Sequence, residues 1–155
     1  MKKNYSFLLL FTIEILLSLF VSCSNPNNST PPEWSDVTEK SDLIGTWKAE
    51  FYASGAHDTN TLYIGSNYAG FLKTEEDYSD ATEEYQNQIP TVVNYLESNG
   101  YTYTNNSTEK KLTVIINLSA TDLDDFIRES KMQINSSKTK IKMTSNGNTA
   151  EYVKQ

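Results

Sequence analysis

The sequence predicts a mostly-β domain, an antiparallel up-and-down meander with a helical insertion. Three observations predict it. Residues 43–52 and 112–118 alternate apolar and polar side chains, the period of a half-buried strand. Asn146-Gly147 sits between two further strand-like runs, the strongest short hairpin signal in the chain. Between them, residues 78–96 change to a spacing of three and four, which is helical.

Taken in order, the first strand is Leu43-Ile-Gly-Thr-Trp-Lys-Ala-Glu-Phe-Tyr52. It places Gly45, Trp47, Ala49 and Phe51 on one face and Thr46, Lys48 and Glu50 on the other. Thr61–Ile64 and Tyr68–Lys73 flank the short turn Gly65-Ser-Asn67 and read as a hairpin. Tyr78, Ala81, Tyr85, Ile89, Val92, Val93 and Leu96 then form an apolar helical stripe. Asp80 with Glu83 fits a capping box, Asn99-Gly100 fits a stop, and Pro90 predicts a kink or two short helices. Leu112, Val114, Ile116 and Leu118 line one face of the clearest strand. A short helix over Thr121–Lys131 follows, with acidic residues at its start where they suit the helix dipole. Met132–Asn135, Lys138–Met143 and Thr149–Lys154 complete the meander. In the second of these the lysines 138, 140 and 142 face water and Thr139, Ile141 and Met143 face inward.

The chain begins with two lysines and an apolar run from Phe7 to Val21, closed by Ser22 and its only cysteine, Cys23. About 15 apolar residues are too few to span a hydrocarbon core that needs about 20. A plain secretory signal cut at a small residue is one reading. Phe20-Val21-Ser22-Cys23 resembles the lipobox of bacterial lipoproteins, with phenylalanine where leucine is usual. That resemblance implies a signal peptide over residues 1–22, a lipidated Cys23 and attachment to a bacterial membrane at the cell envelope, on the outer membrane or a periplasmic face. Several acyl chains anchor firmly where one is marginal. Residues 23–32 are Pro/Asn-rich with almost no apolar side chain, so they read as a tether of roughly 30 Å at full extension.

Residues 33–155 then form one domain by length. Loss of the leader removes two lysines and one glutamate, leaving 11 basic and 19 acidic residues. So acidic a domain has no electrostatic attraction to nucleic acid, and without a second cysteine it must rely on a packed core. A monomer is expected. Nine tyrosines follow the leader, explained by strand propensity or by surface contacts. The sequons at Asn27, Asn106, Asn117 and Asn135 are taken as a product of Asn/Ser-rich composition.

Gly45-Thr46-Trp47, within Leu-Ile-Gly-Thr-Trp-Lys, resembles the Gly-x-Trp motif that opens lipocalin and lipocalin-like β-barrels, including small bacterial lipoproteins. The resemblance implies an up-and-down barrel of about eight strands with Trp47 packed across one end. In that family a basic residue of the last strand, often arginine, lies over the tryptophan. The sole arginine, Arg128, falls in the second helical segment, leaving Lys142 or Lys154 to substitute. The helical insertion after the third strand departs from the family and would lid the barrel or leave the sheet open.

Catalytic signatures are missing from the sequence. His57 stands beside Asp58 without a second histidine or a further cysteine, and reads as a loop residue. The carboxylates at 75–77, 80, 83 and 84 lack the spacing of a calcium loop. Neither enzyme activity, cofactor nor metal is expected. The expected function is binding of a small apolar or amphipathic ligand, lined by Trp47, Phe51, Leu62, Ile64, Val114 and Ile116. The alternative is an envelope protein with a filled core that meets a partner protein through its outer surface.

Overall fold

Alternating side chains fold residues 45–53 and 56–64 into a tight pair. The computed structural model describes residues 33–145 and 147–155. The leader, Cys23 and the tether lie outside the described residues, as does Asn146. The first strand, β1, is Trp34–Asp36, followed by a 3-10 turn at Lys40–Leu43. Then come β2 (Gly45–Ala53), β3 (Ala56–Ile64) and β4 (Gly70–Asp77). Two helices, α1 (Glu83–Gln86) and α2 (Ile89–Ser98), precede β5 (Thr102–Asn106) and β6 (Lys111–Leu118). Helix α3 (Leu123–Glu129) leads into β7 (Gln133–Asn135), β8 (Lys140–Ser145) and β9 (Asn148–Lys154).

All nine strands join one antiparallel sheet in the order β1-β7-β8-β9-β2-β3-β4-β6-β5. Two meanders, β2–β4 and β7–β9, are therefore joined by a seam between β9 and β2. That seam is short: Trp47 pairs with Lys154 and Lys48 with Val153, and the Gln155 amide donates to the Thr46 carbonyl at 2.9 Å.

The sheet does not close into a barrel. Strands β1 and β5 remain as edges, and nine strands replace the expected eight or so because these two short edge strands carry little apolar signal. Side chains from the insertion and from α3 occupy the inner face instead. Tyr78, Ala81, Tyr85, Ile89, Val92 and Leu96 are buried with Leu123 and Phe126 in the same core as the inner residues of the sheet. Pro90 lies in the first turn of α2, where its missing N–H costs nothing, and the insertion is two short helices as its position predicts. Thr82, rather than Asp80, caps α1 by accepting from the Tyr85 amide at 3.4 Å.

The turn between β2 and β3 fixes the register of everything that follows. Ser54 and Gly55 both have positive φ, as a type I′ turn requires. A Cβ on Gly55 would lie 2.2 Å from the Asp80 carbonyl oxygen, and the Ser54 carbonyl accepts from the Thr82 amide at 2.9 Å. The insertion is thus tied to this end of the sheet.

Candidate functional site: a polar patch on the inner face

The register lays the inner face out in rows. At one end Trp47, Leu62, Leu72 and Ile116 are successive partners across β2, β3, β4 and β6. Beside them runs the row containing Ile64 and Leu118. The next row in the other direction is Ala49, Asn60, Thr74, Val114 and Tyr103. Beyond it lie Phe51, Asp58, Glu76 and Leu112. The face therefore grades from wholly apolar to acidic.

All six residues expected to line a ligand site fall on this face. Trp47, Leu62, Ile64, Val114 and Ile116 are buried in the core, and Phe51 packs against it half-buried. None of the six lines the open surface grooves beside Arg128, beside His57 or beside Val153.

The apolar end is closed by Trp47. Its indole N–H donates to the Leu43 carbonyl at 2.8 Å, so the 3-10 turn satisfies the one polar atom of a fully buried ring. Lys154 reaches over the ring from β9, its Nζ 4.9 Å from the centroid. Gly45 makes room: its φ is +131°, and a Cβ there would stand 3.2 Å from the Lys154 Cε.

The acidic end was not foreseen. Asp58 is 1 % exposed and Asn60 2 % exposed. Asp58 Oδ1, Asn60 Oδ1 and Glu76 Oε1 are buried oxygens without a hydrogen-bond partner among the described residues. Buried acceptors in folded proteins are nearly always paired, and each unpaired one costs about 1–3 kcal/mol. The Tyr85 hydroxyl sits beside the Glu76 carboxyl without a well-formed hydrogen bond, and Tyr152 approaches Asn60 from β9.

Burial sets the protonation here. It pushes the Asp58 carboxyl up to about 8, with the negative charge of Glu76 adding to the effect. It raises Glu76 as well, offset in part by the Tyr85 hydroxyl. Tyr85 itself is raised, first by burial and then by the charges of Glu76 and Asp58.

His57 is not in a loop. It belongs to β3, where neighbouring residues point to opposite faces, so His57 and Asp58 lie back to back and cannot form a dyad. On the outer face His57 stacks on Tyr52 at 4.4 Å with the rings 3° from parallel, its Nε2 4.0 Å from Glu50 Oε2. The same alternation divides the carboxylates at 75–77. Glu76 turns toward Asp58, while Glu75 pairs with Lys73 outside.

A larger groove of about 680 Å³ runs between α3 and the segment after β1, lined by Val37, Lys40, Asp124, Ile127, Arg128 and Met132 among others. Lys40 Nζ contacts Asp124 Oδ2 at 2.7 Å across it. Among the described residues no helix is long and apolar enough to cross a membrane. No protein-family model matches the chain, and no curated protein or solved structure matches it either.

Proposed function

We propose that this chain is a lipid-anchored protein of the bacterial cell envelope, held through Cys23, whose lipocalin-like domain binds a small apolar or amphipathic ligand without catalysis. The observation that carries the reading is the graded inner face, apolar from Trp47 to Ile116 and ending in buried polar atoms that lack partners. Small-molecule sites have this composition, mostly apolar with a few placed polar groups. The lipocalin-like element is supported by Trp47 beneath a basic residue of the last strand, here Lys154 in place of the usual arginine. Because the sheet is open, α1 and α2 would serve as the cover that closure supplies in a barrel.

A second reading has its own support. The helical stripe already fills much of the inner face, and β5 leaves an unpaired sheet edge with four of its five residues exposed. Such an edge can pair with another chain. An envelope protein acting through its outer surface would use it.

Native mass spectrometry of residues 24–155, purified gently, separates the two. A reproducible excess mass that disappears on denaturation is the expected result. A bare monomer mass from envelope-targeted expression would favour the outer surface. The anchor has a separate test, since Cys23→Ser is expected to move the full chain out of the membrane fraction.

A further inference from the structure

We propose that the acidic end of the inner face receives a primary ammonium group, so that the ligand is an amphiphilic amine. This inference rests on the ligand-binding reading above and names the chemistry of its polar head.

Asp58 Oδ1, Asn60 Oδ1 and Glu76 Oε1 are all acceptors, and none has a donor among the described residues. Asp58 and Asn60 lie two apart on one strand and project from the same face. Glu76 is the direct cross-strand partner of Asp58, which places it about 5 Å away between backbones. A primary ammonium carries three N–H donors and no acceptor, so it can donate to all three oxygens, with the Tyr85 hydroxyl, which also lacks a partner, beside Glu76. Two carboxyl groups beside it supply charge complementarity that a hydroxyl or amide head would not use.

A further observation favours this occupant. Among the described residues no cluster of three acidic, histidine or cysteine ligands exists, and a calcium ion would require six to eight oxygens.

The unliganded pair holds a proton near neutral pH, because burial and mutual repulsion disfavour two adjacent charges. An ammonium entering the patch replaces that proton, so binding releases protons and strengthens as the pH rises from 6 toward 8.

The test is calorimetry on residues 24–155, which retain every strand and the whole described core, with n-octylammonium, octyltrimethylammonium and octanoate as probes. Octylammonium is expected to bind one to one with proton release, read from buffers of different ionisation enthalpy. Octyltrimethylammonium, which has no N–H, is expected to bind at least about tenfold more weakly, since two or more charge-assisted hydrogen bonds are lost. Glu76→Gln and Asp58→Asn, near-isosteric changes that remove buried charge, are expected to weaken octylammonium by a similar factor. Equal binding of octanoate and octylammonium would overturn the ammonium assignment and leave the apolar ligand reading intact. So would failure of octylammonium to bind a protein that native mass spectrometry shows to carry a ligand. A bare mass together with no binding of any probe would overturn both.

Discussion

Lys154 lies across the indole of Trp47, its Nζ 4.9 Å from the ring centroid, at the register position where β9 meets β2. This one contact does three jobs. It covers the apolar end of the inner face, it fastens a seam of only two residue pairs, and it explains the glycine two residues before the tryptophan. Gly45 has a φ of +131° and no Cβ to push against the Lys154 side chain.

Lys154→Ala is therefore expected to lower stability by about 1 kcal/mol, the scale of a partly desolvated cation–π contact, with Lys154→Arg retaining most of it. Gly45→Ala should cost at least as much, through backbone strain of about 1–2 kcal/mol. Urea unfolding at constant m-value measures both. If Gly45→Ala is neutral, the close approach of Lys154 does not govern this position.

The acid pair makes stability depend on pH in an unusual direction. Asp58 has a folded-state pKa of about 8, above its unfolded value of 3.8, so the folded chain binds the extra proton. Its stabilising contribution is complete below about pH 4 and is lost as the pH climbs through 8. Urea midpoints should therefore fall between pH 6 and pH 9, and Asp58→Asn should flatten the slope. A midpoint that rises over that range would contradict the buried pair.

Asn135 supports the β7–β8 turn with four side-chain hydrogen bonds. Its Oδ1 accepts from the amides of Thr139 and Lys140 at 2.9 and 2.8 Å, and its Nδ2 donates to Ser137 Oγ at 2.8 Å and Thr139 Oγ1 at 3.2 Å. The sequon at this position thus has a structural explanation. Asn135→Ala should cost about 2 kcal/mol, because two turn amides lose their acceptor. Asn135→Asp, which keeps the acceptor, should cost less. Equal losses for the two would mean that the amides are satisfied elsewhere.

Gly55 is the position least able to take a side chain. A Cβ would stand 2.2 Å from the Asp80 carbonyl oxygen, which is backbone and cannot swing aside. Gly55→Ala should destabilise by about 2 kcal/mol or more from combined clash and positive φ. Hydrogen exchange should also quicken first in residues 80–86, which this turn anchors. Unchanged protection there would separate the turn from the helical cover.

Much of the fold was legible because apolar period and turn chemistry agree. β6 buries Leu112, Val114, Ile116 and Leu118 as its alternation predicts, and the stripe from Tyr78 to Leu96 reaches the core as its spacing predicts. The start of β3 was illegible for a physical reason that is also the reason it matters. Strands are found by apolar alternation, and Ala56–Asn60 places Asp58 and Asn60 on the inner face, where that signal calls for aliphatic side chains. The residues that hid the strand are the ones that form the polar patch. The open sheet was legible only as an alternative to a lidded barrel, since edge strands of three and five residues carry almost no pattern.

The most direct test of this account is a carboxyl-carbon NMR titration of residues 24–155, with the Asp58 and Glu76 signals assigned by the Asn and Gln variants. Asp58 is expected to titrate with a midpoint near 8, and Glu76 to be raised as well, coupled to it. A midpoint for Asp58 near the ordinary value of about 3.9 would contradict it, placing the carboxylate in water and removing the polar end of the inner face.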